Sequence, residues 1–305
     1  MNKIFSCSNI IGYCLLLLAT ACSNTDEGSP NRSAVLNKAP YADISDSIKK
    51  HPEQANLYLQ RAALLSQNNL HELATPDFKK AWSLQHSDAT GLEYASNLLL
   101  CNKVQEAATF LENCSREFPQ NMEFRRRLSE VYAQQGLSEK AIAQYDSIIH
   151  ADPENFMAYY QKGMLQSKLK DTAGAIASLE TSFHLQPLMY TGLELANMYA
   201  YRNNPRAVTI CDELLKRDSA EGTTDASYIK GTYYFNSGQR DKAIRQFDET
   251  IRRDWKFINA YLDKGILLLE DKNYKDAMDV FSKAVLVDNS NPDAYYWLAR
   301  TYDAM

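Results

Sequence analysis

Glycine and proline are scarce in this chain, with 11 and 9 among 305 residues. Both residues interrupt helices, so their scarcity favours long helical segments. Aromatic residues are plentiful by contrast, with 19 Tyr and 11 Phe, and 45% of the chain is apolar. A charged fraction of 23% is also ordinary for a folded protein, which excludes wholesale disorder. We therefore expect an all-α chain with an aromatic core.

Dense basic runs are also missing. The chain has 33 Lys and Arg against 38 Asp and Glu, a net charge of −5, so nothing resembles the electrostatic footprint of a nucleic-acid-binding protein. No G-x-S-x-G, P-loop, H-E-x-x-H or C-x-x-C motif occurs, and the five histidines have no carboxylate or cysteine pattern beside them. We therefore expect no catalytic residue, no bound metal, no cofactor and no nucleic-acid partner.

The N-terminus has the form of an export signal. A basic start at Lys3 precedes an apolar run of about 12 residues, short of the ~20 that a membrane-spanning helix requires. The segment Leu18-Ala19-Thr20-Ala21-Cys22 resembles the lipobox of bacterial lipoproteins, in which the cysteine is acylated. This resemblance implies a signal peptide over 1–21, a lipid anchor on Cys22 and a flexible polar tether over 22–40. An ordinary secretory signal with an incidental Cys22 is the alternative.

Only three cysteines remain if Cys22 is the lipidated terminus, namely Cys101, Cys114 and Cys211. An exported protein stabilised by disulfides would more often have an even set. We therefore interpret these thiols as small apolar residues of the core.

Small residues recur every 32 to 36 positions in two series about twelve residues apart. The first series is Ala62, Ala95, Ser129, Gly163, Ala196, Gly231, Gly265 and Ala299. The second is Ala74, Ala107, Ala141, Ala175, Ala207, Ala243 and Ala277, each followed four residues later by a large side chain or, once, by Cys211. Two helices need a methyl-sized residue where their backbones approach closely, with bulky residues one turn away to fill the groove. The pattern predicts helical hairpins that stack on one another.

These residues resemble the tetratricopeptide repeat, a helix-turn-helix unit of 34 residues. The clearest unit is 122–155, with Leu128-Ser129, Tyr132, Gly136 at the turn, Ala141, Tyr145 and Asp152-Pro153. The resemblance implies a right-handed superhelical solenoid over 41–305. We expect a partial unit at 41–54, seven units starting near 55, 88, 122, 156, 189, 224 and 258, and a C-terminal helix at 292–305.

The first unit departs from the pattern at Thr75-Pro76, which falls where its second helix should run. Proline has no N–H and is best tolerated in the first turn of a helix. We expect this helix to begin with Thr75 as its cap, which puts the helix contact of Ala74 in question.

Members of this family usually bind ligands on a concave surface formed by the first helices. The corresponding positions in units four to six are Tyr160, Met164, Tyr190, Asn197, Tyr201, Tyr228, Thr232 and Phe235. They could hold an extended or helical peptide; alternatively, several of the tyrosines only pack between adjacent first helices. The family's clamp of Lys, Arg and Asn, which holds a peptide's terminal carboxylate, is not matched. Arg126 and Arg127 lie beside Glu123 and Glu130 and predict a salt-bridged helix face instead.

These resemblances together imply a non-catalytic scaffold that binds a protein or peptide partner. Lipid anchoring would place it in a bacterial cell envelope, at the outer membrane, with the periplasmic or surface side left open. There it would assist the assembly or regulation of an envelope complex. A small-ligand or glycan-binding lipoprotein of an uptake system is the alternative, and an enzyme is a further one.

Overall fold

The computed structural model describes residues 31–217 and 223–305, and these form helices and turns without a strand. The all-α class predicted from composition is confirmed for this part of the chain. The helices are α1 (Arg32–Leu36), α2 (Ala42–Lys50), α3 (Ala55–Gln67), α4 (His71–Leu84), α5 (Asp88–Leu100), α6 (Val104–Glu117), α7 (Met122–Gln134), α8 (Ser138–Ala151), α9 (Phe156–Lys168), α10 (Thr172–Leu185), α11 (Met189–Tyr201), α12 (Arg206–Lys216), α13 (Thr223–Asn236), α14 (Arg240–Arg253), α15 (Ile258–Glu270), α16 (Tyr274–Val287) and α17 (Pro292–Ala304). They form two compact units, one up to Gln85 and one from His86 onward.

The first unit contains α1 to α4 and is held together by a buried ion pair. Arg61 on α3 donates from Nε and Nη2 to the two carboxylate oxygens of Asp77 on α4, both at 2.7 Å. Its Nη1 donates to Ser45 Oγ on α2 at 3.0 Å, and Arg32 Nη2 on α1 donates to Asp77 Oδ1 at 2.6 Å. The Arg61–Asp77 pair therefore links all four helices of this unit. Sequence patterns gave no indication of it.

Folded structure thus begins earlier than we predicted. The tether was expected to extend to residue 40, but α1 lies within it, Leu36 is buried, and Arg32 is bound to Asp77. The tether prediction is wrong for residues 32–40, because a contact with a residue 45 positions later orders this short polar segment. Residues 1–30, with the predicted signal peptide and Cys22, lie outside the described residues.

The second helix of the first repeat also differs from expectation. It begins at His71 rather than at Thr75, and Pro76 lies inside it. Thr75 Oγ1 donates to the carbonyl of His71 at 3.1 Å, and Ala74 is fully buried. Packing of Ala74 and Phe78 in the interior outweighs the single backbone hydrogen bond that proline removes.

The second unit contains α5 to α17. Across both units, the first helices of the seven repeats begin at residues 55, 88, 122, 156, 189, 223 and 258, and α17 begins at 292. Every predicted repeat start lies within one residue of these positions. Asn155 and Asn291 show why helices begin there, since their side chains accept hydrogen bonds from the N–H groups of Ala158 and Ala294, at 3.1 and 3.0 Å.

Close helix packing occurs at the small residues of the two series. All seven alanines of the second series are fully buried. Cys211 is fully buried as well, and Cys114 is 1% exposed. A Cβ added to Gly265 would lie 2.5 Å from Cε1 of Phe281, and one added to Gly231 would lie 2.5 Å from Cε1 of Phe247. The large side chain four residues after the alanine of the second helix therefore packs directly against the glycine of the first helix.

Each hairpin turn places one residue in the left-handed region, with φ between 56° and 75°. These residues are Asn69, Asn102, Gly136, Lys170, Asn203, Gly238 and Lys272. Only two of the seven are glycine, the residue that adopts this conformation without steric cost. Three others are asparagine, which tolerates this conformation, so only at Lys170 and Lys272 does the packing of the two helices impose the turn on an unfavourable residue.

The last small residue of the first series, Ala299 on α17, is exposed, whereas the other members of that series are buried.

None of the helices in residues 31–217 and 223–305 combines the length and apolar character that crossing a bilayer requires.

Candidate peptide-binding surface

The predicted binding residues lie on three first helices of the second unit, namely α9, α11 and α13. On α11, Tyr190, Glu194, Asn197 and Tyr201 follow one another at intervals of three and four residues, which places them on one face of the helix. The first three are partly buried, and Tyr201 is 62% exposed. We call this row the α11 stripe.

Tyr160 on α9 joins this stripe at one end. Its ring contacts that of Tyr190 edge to face, with centroids 4.8 Å apart. Tyr160 and Met164 both pack partly against the apolar core around Leu179 and Leu195. The pair therefore presents an aromatic surface supported by the core of the unit.

Two predicted binding residues on α13 lie beneath the surface. Thr232 is buried, and its hydroxyl donates to the carbonyl of Tyr228 at 3.2 Å. Tyr228 is 8% exposed, with its ring against Phe247 and Phe257 at centroid distances of 5.8 and 4.8 Å. For these two residues, packing between helices describes the structure better than direct contact with a ligand.

Phe235, also on α13, is intermediate in exposure and packs against the apolar cluster around Tyr228 and Phe247. It lies at the edge of the predicted surface. The exposed part of that surface is therefore formed by α9 and α11 more than by α13.

Two carboxylates accompany the tyrosines, and sequence analysis missed both. Glu194 lies within the α11 stripe, and Asp263 on α15 accepts a hydrogen bond from the hydroxyl of Tyr228 at 2.8 Å. Burial raises the pKa of Glu194 above its usual range and that of Asp263 to about 6, the latter opposed by the Tyr228 hydrogen bond. Burial and the nearby Glu194 carboxylate also raise the pKa of Tyr160 to about 12. Neither acid is among the positions that the family pattern assigned to the binding surface.

The lysines on α13 and α15 pair with aspartates of the preceding second helices and not with these two carboxylates. Lys230 Nζ on α13 lies 2.7 Å from Asp212 on α12, and Lys264 Nζ on α15 lies 2.5 Å from Asp248 on α14. Glu213 and Glu249, the sequence neighbours of those aspartates, bind arginines of their own helices or of the turn that follows. The lysines thus connect first helices to the preceding second helices. They leave Glu194 and Asp263 without a nearby cation. We call the α11 stripe, together with Tyr160, Tyr228 and Asp263, the tyrosine surface.

The predicted salt-bridged face on α7 is confirmed. Arg126 pairs with Glu123 at 2.5 Å and with Glu130, and Arg127 pairs with Glu123 at 2.8 Å. Bonding to the arginines lowers the pKa of Glu123, against the effect of its burial. These arginines already have partners, so they do not form a carboxylate clamp.

Two open clefts lie elsewhere in the second unit. One, of about 370 Å³, is lined by Phe183, Ile210 and Glu213, and the other, of about 450 Å³, by Met122 and His150 among others. Neither includes a predicted binding residue. No group of three or more potential metal ligands occurs in residues 31–217 and 223–305.

Comparison with family models matches three segments of the chain, 98–169, 158–187 and 228–294, each to a model described as tetratricopeptide repeat. The chain belongs to the tetratricopeptide repeat family. The matched segments cover α6 to α10 and α13 to α16 with the turns between them, so the predicted family and repeat type are confirmed.

Two curated relatives are similar to this tetratricopeptide repeat protein over part of its length. It is 25% identical over 178 residues to Superkiller protein 3 of Schizosaccharomyces pombe, and 25% identical over 164 residues to protein O-mannosyl-transferase TMTC3 of Mus musculus. The matches include 53% and 54% of this chain but only 12% and 16% of those proteins. The chain thus corresponds to a small part of each relative.

Solved structures share the fold at low sequence identity. A tetratricopeptide repeat protein from Parabacteroides merdae has a TM-score of 0.52 at 17% identity, over 81% of this chain and 98% of that one. The C-terminal part of a repeat protein from Cytophaga hutchinsonii has a TM-score of 0.54 at 14% identity, over 88% and 95%. PilW, described as a widely conserved type IV pilus biogenesis factor, has a TM-score of 0.53 at 17% identity, over 61% and 86%. At these identities the likeness shows the fold alone.

Proposed function

We propose that this tetratricopeptide repeat protein is a non-catalytic scaffold that holds a segment of a partner protein against α9 and α11. The observation that carries the proposal is the α11 stripe, a partly exposed row of tyrosine and hydrogen-bonding side chains that includes the Tyr160–Tyr190 ring contact at one end. Tyrosine suits this role, since it offers a large apolar area, few rotatable bonds and a polar tip.

Asn197 gives the stripe a side-chain amide that can both donate and accept hydrogen bonds. A peptide backbone crossing the stripe would have its N–H and C=O groups within reach of such a side chain, while its apolar side chains cover Tyr190 and Tyr201. This combination of aromatic area with a few polar groups is typical of peptide recognition on preformed helical surfaces. Most of the supporting residues are core residues, so the surface is formed before the partner binds.

The binding surface is tested by Tyr160→Ala with Tyr201→Ala. We expect the double variant to lose most of a crosslinked partner in cells while keeping its helical circular dichroism, since Tyr201 is exposed and Tyr160 only partly buried. Tyr295→Ala with Tyr302→Ala is the matched control, because these tyrosines on α17 are also exposed. Equal partner recovery from both double variants would count against the proposal.

The second part of the proposal is a lipid anchor on Cys22 in a bacterial envelope, at the outer membrane, where the scaffold would assist an envelope complex. It is supported by the lipobox-like sequence before Cys22. Several acyl chains would supply about 0.8 kcal/mol per buried methylene, enough for stable anchoring.

Cys22→Ala is therefore expected to move the protein from the membrane fraction to the soluble one. Cys101→Ala is the control, because it removes a cysteine of the folded part and leaves the lipobox intact. Attachment that survives Cys22→Ala, assayed by fractionation and by labelling with a fatty-acid analogue, would contradict the anchor.

A further inference from the structure

The tyrosine surface includes two carboxylates, Glu194 on α11 and Asp263 on α15, that lack a basic partner within the described residues. In residues 31–217 and 223–305 many acidic side chains on the helices pair with a lysine or arginine, as Asp212 and Asp248 do. Glu194 has no hydrogen-bond or ion-pair partner in that part of the chain, and Asp263 is bound only by the Tyr228 hydroxyl. Neither carboxylate has a cation near enough to lower its pKa.

Tyrosine rings border both carboxylates. Glu194 lies one turn from Tyr190 on the same face of α11, and the ring of Tyr190 contacts that of Tyr160. Asp263 accepts a hydrogen bond from the hydroxyl of Tyr228, at 2.8 Å. A surface of aromatic faces with two carboxylates that lack a basic partner is complementary to cations on long apolar stems, since lysine and arginine stack on aromatic rings and pair with carboxylates.

The geometry of the repeats sets a spacing. Glu194 is on α11 and Asp263 on α15, two first helices further along the array. Packed helices lie about 8–10 Å apart, so the carboxylates are roughly 16–20 Å from each other. An extended peptide advances about 3.3 Å per residue, so this distance corresponds to five or six residues.

We propose that the surface selects a partner segment with two basic side chains, lysine or arginine, five or six residues apart, one bound at Glu194 and the other at Asp263. The stems of these side chains lie on the tyrosines. The proposal rests on the proposed function, because it extends the surface of α9 and α11 across α13 to α15 and specifies its partner. It also reverses the charge of the family's carboxylate clamp, which offers cations to an acidic peptide end.

Selection from a random library of twelve-residue peptides displayed on phage tests the proposal, with the full chain as bait. We expect enriched peptides to contain two basic residues at the stated spacing. They should be lost when the bait is Glu194→Gln with Asp263→Asn, which keeps the shape of both side chains and leaves an acceptor for Tyr228. Asp146→Asn with Asp248→Asn is the matched control, because it removes the same charge from the second helices, where each aspartate pairs with a lysine.

An enriched peptide is then made synthetically, and its affinity is measured by fluorescence anisotropy. Each carboxylate variant should weaken it about fivefold, and added salt should weaken it further. Glu194→Gln alone serves if the double variant does not fold, since Glu194 has no partner to lose within the described chain.

The outcomes separate the two proposals. Neutral or acidic enriched peptides would overturn the basic-partner inference and leave the scaffold standing, and so would basic peptides that bind the carboxylate variant and the control equally. Enrichment that is no greater on the native chain than on Tyr160→Ala with Tyr201→Ala would overturn the scaffold proposal itself.

Discussion

Loss of Asp77 should destabilise the first unit more than any surface change. Its carboxylate accepts two hydrogen bonds from Arg61 and one from Arg32, and both Arg61 and Asp77 are buried, at 7% and 2% exposure. Asp77→Ala removes all three bonds at once. It leaves the Arg61 guanidinium inside the unit with only Ser45 as a partner.

The magnitude follows from the buried charge. Removing one partner of a buried ion pair costs about 3–5 kcal/mol, because the remaining charge is neither solvated nor paired. Arg32→Ala should cost less than Asp77→Ala, since the Arg32 side chain is a third exposed and the variant leaves both hydrogen bonds from Arg61 to Asp77 in place. Arg61→Met with Asp77→Leu should be nearly neutral, because replacing both charges by apolar side chains of similar size removes the desolvation cost along with the attraction.

Urea unfolding followed by circular dichroism gives the free energies, and hydrogen exchange locates the loss. Repeats stabilise mainly their neighbours, so we expect faster exchange in α1 to α4 of Asp77→Ala and little change in α13 to α17. A loss below about 1 kcal/mol would refute the reasoning. So would a double apolar variant that is as unstable as Asp77→Ala.

Two further changes test the turns and the tyrosine surface. Lys272→Gly should raise the free energy of unfolding by roughly 0.5–1 kcal/mol, because lysine at φ 62° has a steric cost that exceeds the extra entropy lost by glycine; a decrease on urea unfolding would contradict this. Asp263→Asn should raise the melting temperature at pH 7.5 and not at pH 3.5. Burial raises the pKa of Asp263 from 3.8 to about 6, so ionisation destabilises the fold progressively as pH rises between these values; an equal effect at both pH values would contradict the explanation.

The repeat boundaries could be predicted from sequence because the residues that recur with the repeat period must be small for the helices to pack. Ala141 and Ala175 are fully buried where helices meet, and any larger side chain would push the helices apart. Residues 31–40 could not be predicted in this way. Their order depends on Arg32 reaching Asp77, a contact with no periodic signature.

The binding surface was predictable in outline only. Helical register assigned Tyr190, Asn197 and Tyr201 to one face of α11, which the structure brings together. Register gives the direction of a side chain and not the depth to which neighbouring helices cover it, so Thr232 and Tyr228 were assigned to the surface although Phe247 and Phe257 enclose the tyrosine ring.

Two neighbouring residues on α15 make contacts with different helices of the array. Asp263 and Lys264 are adjacent, and consecutive helical residues point about 100° apart. Lys264 therefore reaches Asp248 on the preceding second helix, while Asp263 meets Tyr228 on the neighbouring first helix. A substitution of Lys264 acts on the contact between a first helix and the preceding second helix, whereas one of Asp263 acts on the contact between two first helices. The net charge of the chain predicts neither effect, because opposite charges one residue apart serve different surfaces.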